Sequence, residues 1–381
     1  MILPKVTSFQ TMAISRCTQC MSFSRVNRQR IRALVILALV VLVLITYMNR
    51  RKISIILSNT IHGLNAKRRN VNLVQEQLRR PLKAVKEEGD IVGGVEGVKT
   101  CKRAWQQGSS SWFDRRYKES IPALWTRRNR ELRPEVREWW LSIHEDGDRD
   151  IPALLNSLFQ IVPDVDPYPK RNLDRCVRCA VVGNSGNLRH SGYGALIDSH
   201  HRIIRVNYAP IQGYEDDVGS RETHRIAYPV TYTEVQKGAH FVLVPFGAKD
   251  IDWLISALTN GTITWTYSPV PRFIDVDRSK VQVFNPTLMY DSKFSWIGDE
   301  ERWPSTGFLM ILFAFHICDE VNIFGFGASS YGAWDHYWEP DAGLWNIIYK
   351  SMFSPHNHSV EETILEKWNK EGKVKIFRGI R

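Results

Sequence analysis

Hydrophobic positions fall into three regimes along the chain. Ala33 to Met48, "ALVILALVVLVLITYM", runs sixteen residues without a charge. Arg25, Arg28, Arg30 and Arg32 precede it, and Arg50, Arg51 and Lys52 follow it. Residues 49–100 then lose any core-forming period. "EEGDIVGGVEGVK" is glycine-rich and poor in aromatics, as expected of a stem or linker. Folded sequence begins near Cys101, where Trp105, Trp112, Phe113, Trp125, Trp139 and Trp140 follow in quick succession. No internal repeat is visible.

From Cys176 onward short apolar runs alternate with helical stretches. "RCAVVG" (178–183), "RIIRVN" (202–207), "FVLVPF" (241–246), "VQVFN" (281–285), "VNIFGFG" (321–327) and "VKIF" (374–377) read as strands. Residues 193–200, 249–259 and 305–318 read as helices. Strands alternating with helices predict an α/β fold with a central, mostly parallel sheet. Sites in such folds lie at the carboxyl ends of strands. Gly183-Asn184 and Gly325–Gly327 stand directly after strands and are the first places to look.

Charge sharpens the division. Of the 51 Lys/Arg and 40 Asp/Glu, residues 1–100 hold 17 and 5, and residues 101–381 hold 34 and 35. The basic excess therefore belongs to the N-terminal part, and the near-neutral remainder has no overall footprint for nucleic acid. The apolar run accounts for the flanking charge. Sixteen helical residues span ~24 Å, short for a plasma membrane and better matched to a thinner early-secretory one. A cleaved signal peptide would want small residues after the run. "NRRK" follows instead, which favours an uncleaved signal anchor. Residues 1–32 carry six Lys/Arg and no acid, placing that tail in the cytosol and the main domain in the lumen.

Six cysteines are consistent with this topology. Cys17 and Cys20 precede the anchor. Cys101, Cys176, Cys179 and Cys318 would lie in an oxidising lumen and could form two disulfides. A zinc site shared by the two C-x-x-C pairs would have to cross a membrane segment. A thioredoxin-like role for Cys176/Cys179 is disfavoured by the Val177-Arg178 spacer and the strand that follows. Two glycosylation sequons, Asn260-Gly-Thr and Asn357-His-Ser, also lie in the lumenal part.

Three regions carry candidate chemistry. The first, "CAVVGNSGNLRHSGYG" (179–194), enters a glycine-rich loop without G-x-G-x-x-G or Gly-Lys-Ser/Thr. Asn184 and Asn207 each follow a strand and offer amide donors without charge, or stabilise turns. In the second, Pro304, Ser305 and Thr306 form a helix start, either a plain cap or an anion site. His316, deep in that apolar helix, reads as a core residue. The third holds "HYWE" (336–339) and "HNHSVEE" (356–362), with histidines suited to proton transfer. Asp-x-Asp pairs at 146/148, 164/166 and 275/277 read as solvated turns rather than metal sites.

Together, "CAVVGNSGNLR", "PSTG", "CDEV", "GFGA" and "HYWE" resemble the motifs of the animal sialyltransferases in order and spacing, over roughly 101–381. The likeness is greatest to beta-galactoside alpha-2,3-sialyltransferases acting on Gal-beta-1,3-GalNAc. It implies a variant GT-A, Rossmann-type glycosyltransferase domain, independent of metals, with CMP-sialic acid as donor and a Golgi membrane location. By the same resemblance Asn184, Asn207, Tyr267, Ser305, Thr306, Gly307 and Gly327 would meet the donor. His356, in an H-x-x-x-x-E pattern with Glu361, would be the catalytic base, and His336 would assist departure of the CMP phosphate. Cys179 would pair with Cys318, and Cys101 with Cys176.

Two positions depart from the family pattern. Trp303 stands where the nearest relatives have Tyr before "PSTG", and His144 where they have Gln after a Trp-Trp pair. Both fall on the acceptor side, so the donor is better specified than the acceptor. A glycan on Asn357 would crowd His356, leaving Asn260 as the candidate sequon. Alternatives are transfer to another galactoside such as Gal-beta-1,4-GlcNAc, or a non-catalytic glycan-binding relative. The presence of both His336 and His356 argues against the latter.

Overall fold

The computed structural model describes residues 104–106, 110–144, 146–168, 176–298, 303–328, 334–339 and 354–379. These fall within one unit, Val95–Arg381. The expected cytosolic tail, the 33–48 span, the stem and Cys101 lie outside the described residues. Among the described residues no helix is long and apolar enough to cross a membrane.

Seven strands build one sheet: β1 (Arg178–Val182), β2 (Arg202–Val206), β3 (His224–Ala227), β4 (His240–Leu243), β5 (Val281–Val283), β6 (Glu320–Phe324) and β7 (Lys375–Phe377). Their order is β5-β4-β3-β2-β1-β6-β7, and every pairing is parallel. Cys179 sits opposite Arg202 on one side and Val321 on the other. The chain thus winds outward from β1 through β5, then returns to place β6 on the opposite flank of β1. The carboxyl ends of β1 and β6 form the point where the winding reverses, where ligands bind in doubly wound sheets.

Helices cover both faces: α1 (Ser111–Asp114), α2 (Pro134–Ser142), α3 (Ile151–Leu158), α4 (Gly194–Asp198), α5 (Glu215–Val218), α6 (Ala248–Leu258), α7 (Pro286–Asp291), α8 (Thr306–Ile317) and α9 (His358–Lys370). A π-helical segment, Ser292–Ile297, continues α7. Side-chain alternation divides the core. Cys179, Val181, Ile204, Val206 and Ile323 face α8 and α9, whereas Ala180, Val182, Ile203 and Phe324 face the opposite layer with Leu188, Ile197 and Tyr337. Farther along that opposite layer, Phe241, Leu243 and Val283 pack with α3 and α6. Ten of the twelve residues of α8 are buried, so this helix is apolar all round rather than striped. Gly307 and His316 are its half-buried exceptions, and His316 lies against Tyr117.

Strand β3 is absent from the sequence expectation. It is four residues long and begins with His224 and Arg225, both buried. Its polar residues conceal a central strand from any search for apolar runs. The other predicted elements differ from the observed ones only at their ends.

Candidate active site

The mouth of the site is set by backbone approach. At Gly183, just past β1, a Cβ would collide with the carbonyl of Gly325, just past β6, and Gly325 itself has φ +69. Only glycine at both positions lets the strand ends close so tightly. The Gly183 N–H then donates to Phe324 O at 2.8 Å and the Ser185 N–H to Gly325 O at 2.9 Å. Asn184 is delivered to a cavity of about 740 Å³ directly above this seam. Its Oδ1 is buried with no hydrogen-bond partner among the described residues, a condition proteins rarely leave unexplained.

All eleven expected site residues line this one cavity: His144, Asn184, Asn207, Tyr267, Trp303, Ser305, Thr306, Gly307, Gly327, His336 and His356. They come from points as much as 212 residues apart in the numbering. Tyr228, Phe246, Phe326, Trp334 and His358 also line it and were not singled out from sequence. Phe246 ends the expected 241–246 strand, which was the available signal for it, whereas Tyr228 follows β3, which the sequence did not announce.

The α8 start is built by a carboxylate from α9. Glu361 accepts the Ser305 N–H and the Ser305 hydroxyl, each at 2.6 Å. Ser305 Oγ in turn accepts the Phe308 N–H at 3.1 Å, and Ser305 O accepts the Leu309 N–H. Ser305 is therefore engaged within the protein. The N–H groups of Thr306 and Gly307, in the first turn of a twelve-residue helix, have no intrahelical acceptor and are suited to an anion. Burial pushes the Glu361 carboxyl up to about 7, against the opposing effect of the two Ser305 bonds.

Two imidazoles stand in the same cavity. His356 precedes α9, and its Nδ1 meets the Trp303 carbonyl at 3.0 Å. A carbonyl can only accept, so Nδ1 carries the proton and the lone pair of the neutral ring is on Nε2. Burial holds its pKa below the ordinary histidine value, which keeps this basic form populated near neutrality. His336 is fixed differently. Glu339 meets its Nδ1 at 2.7 Å and accepts its backbone N–H at 3.1 Å, while Trp338 stacks on the ring at 4.5 Å. Arg189 binds the carbonyls of His336, Tyr337 and Glu339, tying this turn to the loop after β1.

The opposite wall is aromatic. Trp303 lies 5.7 Å from Trp139, with Lys293 Nζ 4.3 Å from its ring centre. His144 stacks on Tyr267 at 3.9 Å and 16°. Behind this stack, one sequence expectation is corrected. Asp146 is not a solvated turn residue: its side chain is fully buried, accepts the Ala248 N–H and pairs with Lys249 at 3.4 Å. Its carboxylate fixes the start of α6, where a cap is needed. Asp148 by contrast is open to solvent beside Arg137. Asp250, wholly buried near Asp146, accepts the Phe246 N–H and has its carboxyl pushed up to about 8 by burial. Among the described residues no three or more His, Cys, Asp or Glu side chains converge as a metal site.

Cys179 and Cys318 form a disulfide with Cα atoms 6.0 Å apart, joining β1 to the residue after α8. Cys176 is also disulfide-bonded, and its expected partner lies outside the described residues. Asn260 is exposed in the turn after α6, and its Oδ1 accepts the Thr262 hydroxyl at 2.9 Å. Asn357 caps α9 through the Val360 N–H.

Residues 124–373 match the glycosyltransferase family 29 (sialyltransferase) profile. The chain is 44% identical over 285 residues to CMP-N-acetylneuraminate-beta-galactosamide-alpha-2,3-sialyltransferase 2 of Rattus norvegicus, covering 74% of this chain and 80% of that one. It is 39% identical over 278 residues to the corresponding sialyltransferase 1 of Homo sapiens, covering 72% and 80%. Among solved structures, a mammalian sialyltransferase aligns with a TM-score of 0.67 and 40% identity, over 74% of this chain and 98% of that one. A mammalian sialyltransferase in complex with Gal-beta-1-3GalNAc-ortho-nitrophenol aligns with a TM-score of 0.66 and 39% identity, over 74% and 99%. An all-parallel sheet, a cavity at its winding reversal and motifs that meet inside that cavity thus coincide with extensive sequence likeness, and the chain belongs to glycosyltransferase family 29, the sialyltransferases.

Proposed function

We propose that the chain transfers sialic acid from CMP-N-acetylneuraminate to the 3-hydroxyl of a terminal galactose, with Gal-beta-1,3-GalNAc of O-glycans or glycolipids as acceptor. The observation that carries this is the pairing, within one cavity, of a basic His356 with a donor-side wall of Asn184, Asn207, Tyr267 and the α8 start. The relatives named for alpha-2,3 transfer support the linkage. The solved relative holding a Gal-beta-1-3GalNAc derivative supports the acceptor.

In this mechanism the variant GT-A domain binds the CMP phosphate with the Thr306 and Gly307 N–H groups. The nucleotide and sugar meet Asn184, Asn207, Tyr267 and Gly327, with Ser305 shaping the wall. His356 Nε2 takes the proton from the galactose 3-hydroxyl as that oxygen attacks the anomeric carbon of sialic acid. The bond from that carbon to the phosphate oxygen breaks in the same step, the centre inverts and CMP leaves. His336, its Nδ1 held by Glu339, assists departure of the CMP phosphate from its Nε2 side. The leaving group is a phosphate that needs charge stabilisation rather than a Lewis acid, so the reaction is metal-independent. Trp303 and His144 line the acceptor side.

Residues 1–32 are the cytosolic tail, 33–48 the signal anchor, 49–100 the stem and 101–381 the lumenal catalytic domain of a Golgi type II protein. Cys101 pairs with Cys176 there, and Asn260 is the glycosylated sequon, its carboxamide being exposed while that of Asn357 caps a helix beside the cavity.

The deciding experiment is transfer from CMP-sialic acid to a panel of galactosides, with the product linkage determined. Alpha-2,3 product on Gal-beta-1,3-GalNAc is expected. Preference for Gal-beta-1,4-GlcNAc would move the acceptor assignment. Absence of both transfer and donor hydrolysis would leave a glycan-binding relative.

A further inference from the structure

Among the described residues, Asn207 is one of two other than glycine with a positive φ, at 52°. Asparagine tolerates this left-handed conformation better than most residues, yet it does not hold itself there. Two neighbours outside the cavity wall fix both its backbone and its carboxamide. Arg225, from β3, donates through one guanidinium nitrogen to Asn207 O and Ala209 O, each at 2.9 Å. It is buried, and its other terminal nitrogen pairs with Glu222 at 2.6 Å. Glu222 accepts the Gln236 N–H at 2.7 Å, and Gln236 Oε1 accepts the Glu222 N–H at 2.8 Å. The turn after β2 is thereby pinned to a buried ion pair rather than left as a loop.

The carboxamide is oriented separately. The Thr231 hydroxyl donates to Asn207 Oδ1 at 2.9 Å, with Tyr228 O a longer alternative acceptor at 3.2 Å. With Oδ1 held on the protein side, Nδ2 is the edge left for the cavity. A free asparagine amide would present oxygen or nitrogen with little preference. An oxygen turned toward a phosphate or the cytosine carbonyl repels it, whereas a nitrogen donates to it.

We infer that Thr231 and the buried Arg225–Glu222 pair are positioning residues for the nucleotide. They preset Asn207 so that it presents a hydrogen-bond donor to the nucleotide. None of the three lines the cavity. The inference rests on the donor-side assignment of Asn207 made under the proposed function. Preorganisation of this kind shows as affinity for the nucleotide alone, because the cost of turning the amide is removed before binding.

The test compares Thr231→Val, Thr231→Ser and the double variant Glu222→Gln/Arg225→Met with wild type, using the full-length chain in detergent. The double variant removes both charges, so neither is left buried alone. CMP affinity is measured by calorimetry, alongside donor KM, acceptor KM and Tm. Thr231→Val is expected to weaken CMP binding about three- to tenfold, the worth of one neutral hydrogen bond, and to raise donor KM in proportion. Thr231→Ser, which keeps the hydroxyl, should stay within about twofold of wild type. Acceptor KM should stay within about twofold in both Thr231 variants. The double variant should lose at least as much CMP affinity as Thr231→Val. Wild-type affinity in Thr231→Val, equal losses in the Ser and Val variants, or parallel rises in donor and acceptor KM would each overturn the inference alone. Failure of the wild type itself to bind CMP would overturn the donor assignment and the inference with it.

Discussion

At the scale of single residues, the proposed function gives the chemistry to His356 and the recognition to Trp303. Nδ1 of His356 is committed to a carbonyl, so only Nε2 is available as base. His356→Ala should lower kcat about 10²- to 10⁴-fold, the usual range for removing a general base, with both KM values little changed. Because burial lowers the His356 pKa below 6.5, the neutral form persists at pH 6.5, and the acid limb of kcat/KM should fall below that value. A limb centred above 6.5, or undiminished turnover in the alanine variant, would remove His356 from the role. Trp303 is clamped by Trp139 and Lys293 rather than free to rotate. Trp303→Tyr should therefore change the ratio of kcat/KM between Gal-beta-1,3-GalNAc and Gal-beta-1,4-GlcNAc while leaving donor KM alone. An unchanged ratio would detach this position from acceptor choice.

At the scale of elements, the junction of α8 with α9 is the most informative. Among the described residues no cation pairs with Glu361, and its two oxygens satisfy both polar groups of the capping residue. Glu361→Ala would orphan the Ser305 N–H and weaken the cap, costing about 2–4 kcal/mol. It should also raise donor KM, because Thr306 and Gly307 begin the same turn. Glu361→Gln keeps one acceptor and should recover part of both losses. A Tm loss without any change in donor KM would confine Glu361 to stability. The same scale shows what sequence could reveal. Runs such as "CAVVG" and the helix after "PSTG" announce themselves because every position is apolar. β3 does not, because His224 and Arg225 occupy buried positions through hydrogen bonds and an ion pair that exist only after folding. Asp146 misled for the same reason: an Asp-Gly-Asp triplet reads as a turn until the N-terminus of α6, about a hundred residues later, is folded against it. The eleven expected site residues were legible through the family resemblance, while Tyr228, Phe246 and Thr231 belong to no motif and depend on where the turns after β3 and β4 lead.

At the scale of the whole molecule, buried titratable groups oppose one another. His144, His200, His224, His240 and His356 all have pKa values lowered mainly by burial, His224 furthest. His224 and His240 stack at 5.0 Å beside Tyr168, at the end of the sheet remote from the cavity. In the unfolded chain these rings bind protons near 6.5, so below that pH the unfolded state takes up more protons and stability falls. Asp250 and Glu361 work in the other direction. Their folded pKa values, about 8 and about 7, exceed the unfolded ones, so the stability they contribute at low pH is lost as pH rises toward those values. The imidazoles outnumber these carboxyls below 6.5, and only the carboxyls act above it. Denaturant titrations should therefore show maximal stability near pH ~6.5. His240→Asn should flatten the acid side, and Asp250→Asn the alkaline side. A stability that climbs steadily from pH 6 to 8 would contradict this balance.

The strand order also governs how the protein is made. β1 is central, but β6, its neighbour on one flank, is separated from it in sequence by more than a hundred residues, and Cys179 is 139 residues from Cys318. During synthesis β1 can pair with β2 as soon as both have emerged, while its other edge stays open until nearly the whole chain has been made. An open parallel edge with an adjacent thiol is prone to wrong partners, and such long-range closure is slow. The binding cavity has no partial form, since part of its wall precedes β1 or follows β1 to β4 and the rest arrives with α8, β6 and α9. A nascent or truncated chain would thus be blind to nucleotide. Ligand binding reports completion of the fold, so a nucleotide supplied during biogenesis can rescue only chains that have already joined β6 to β1.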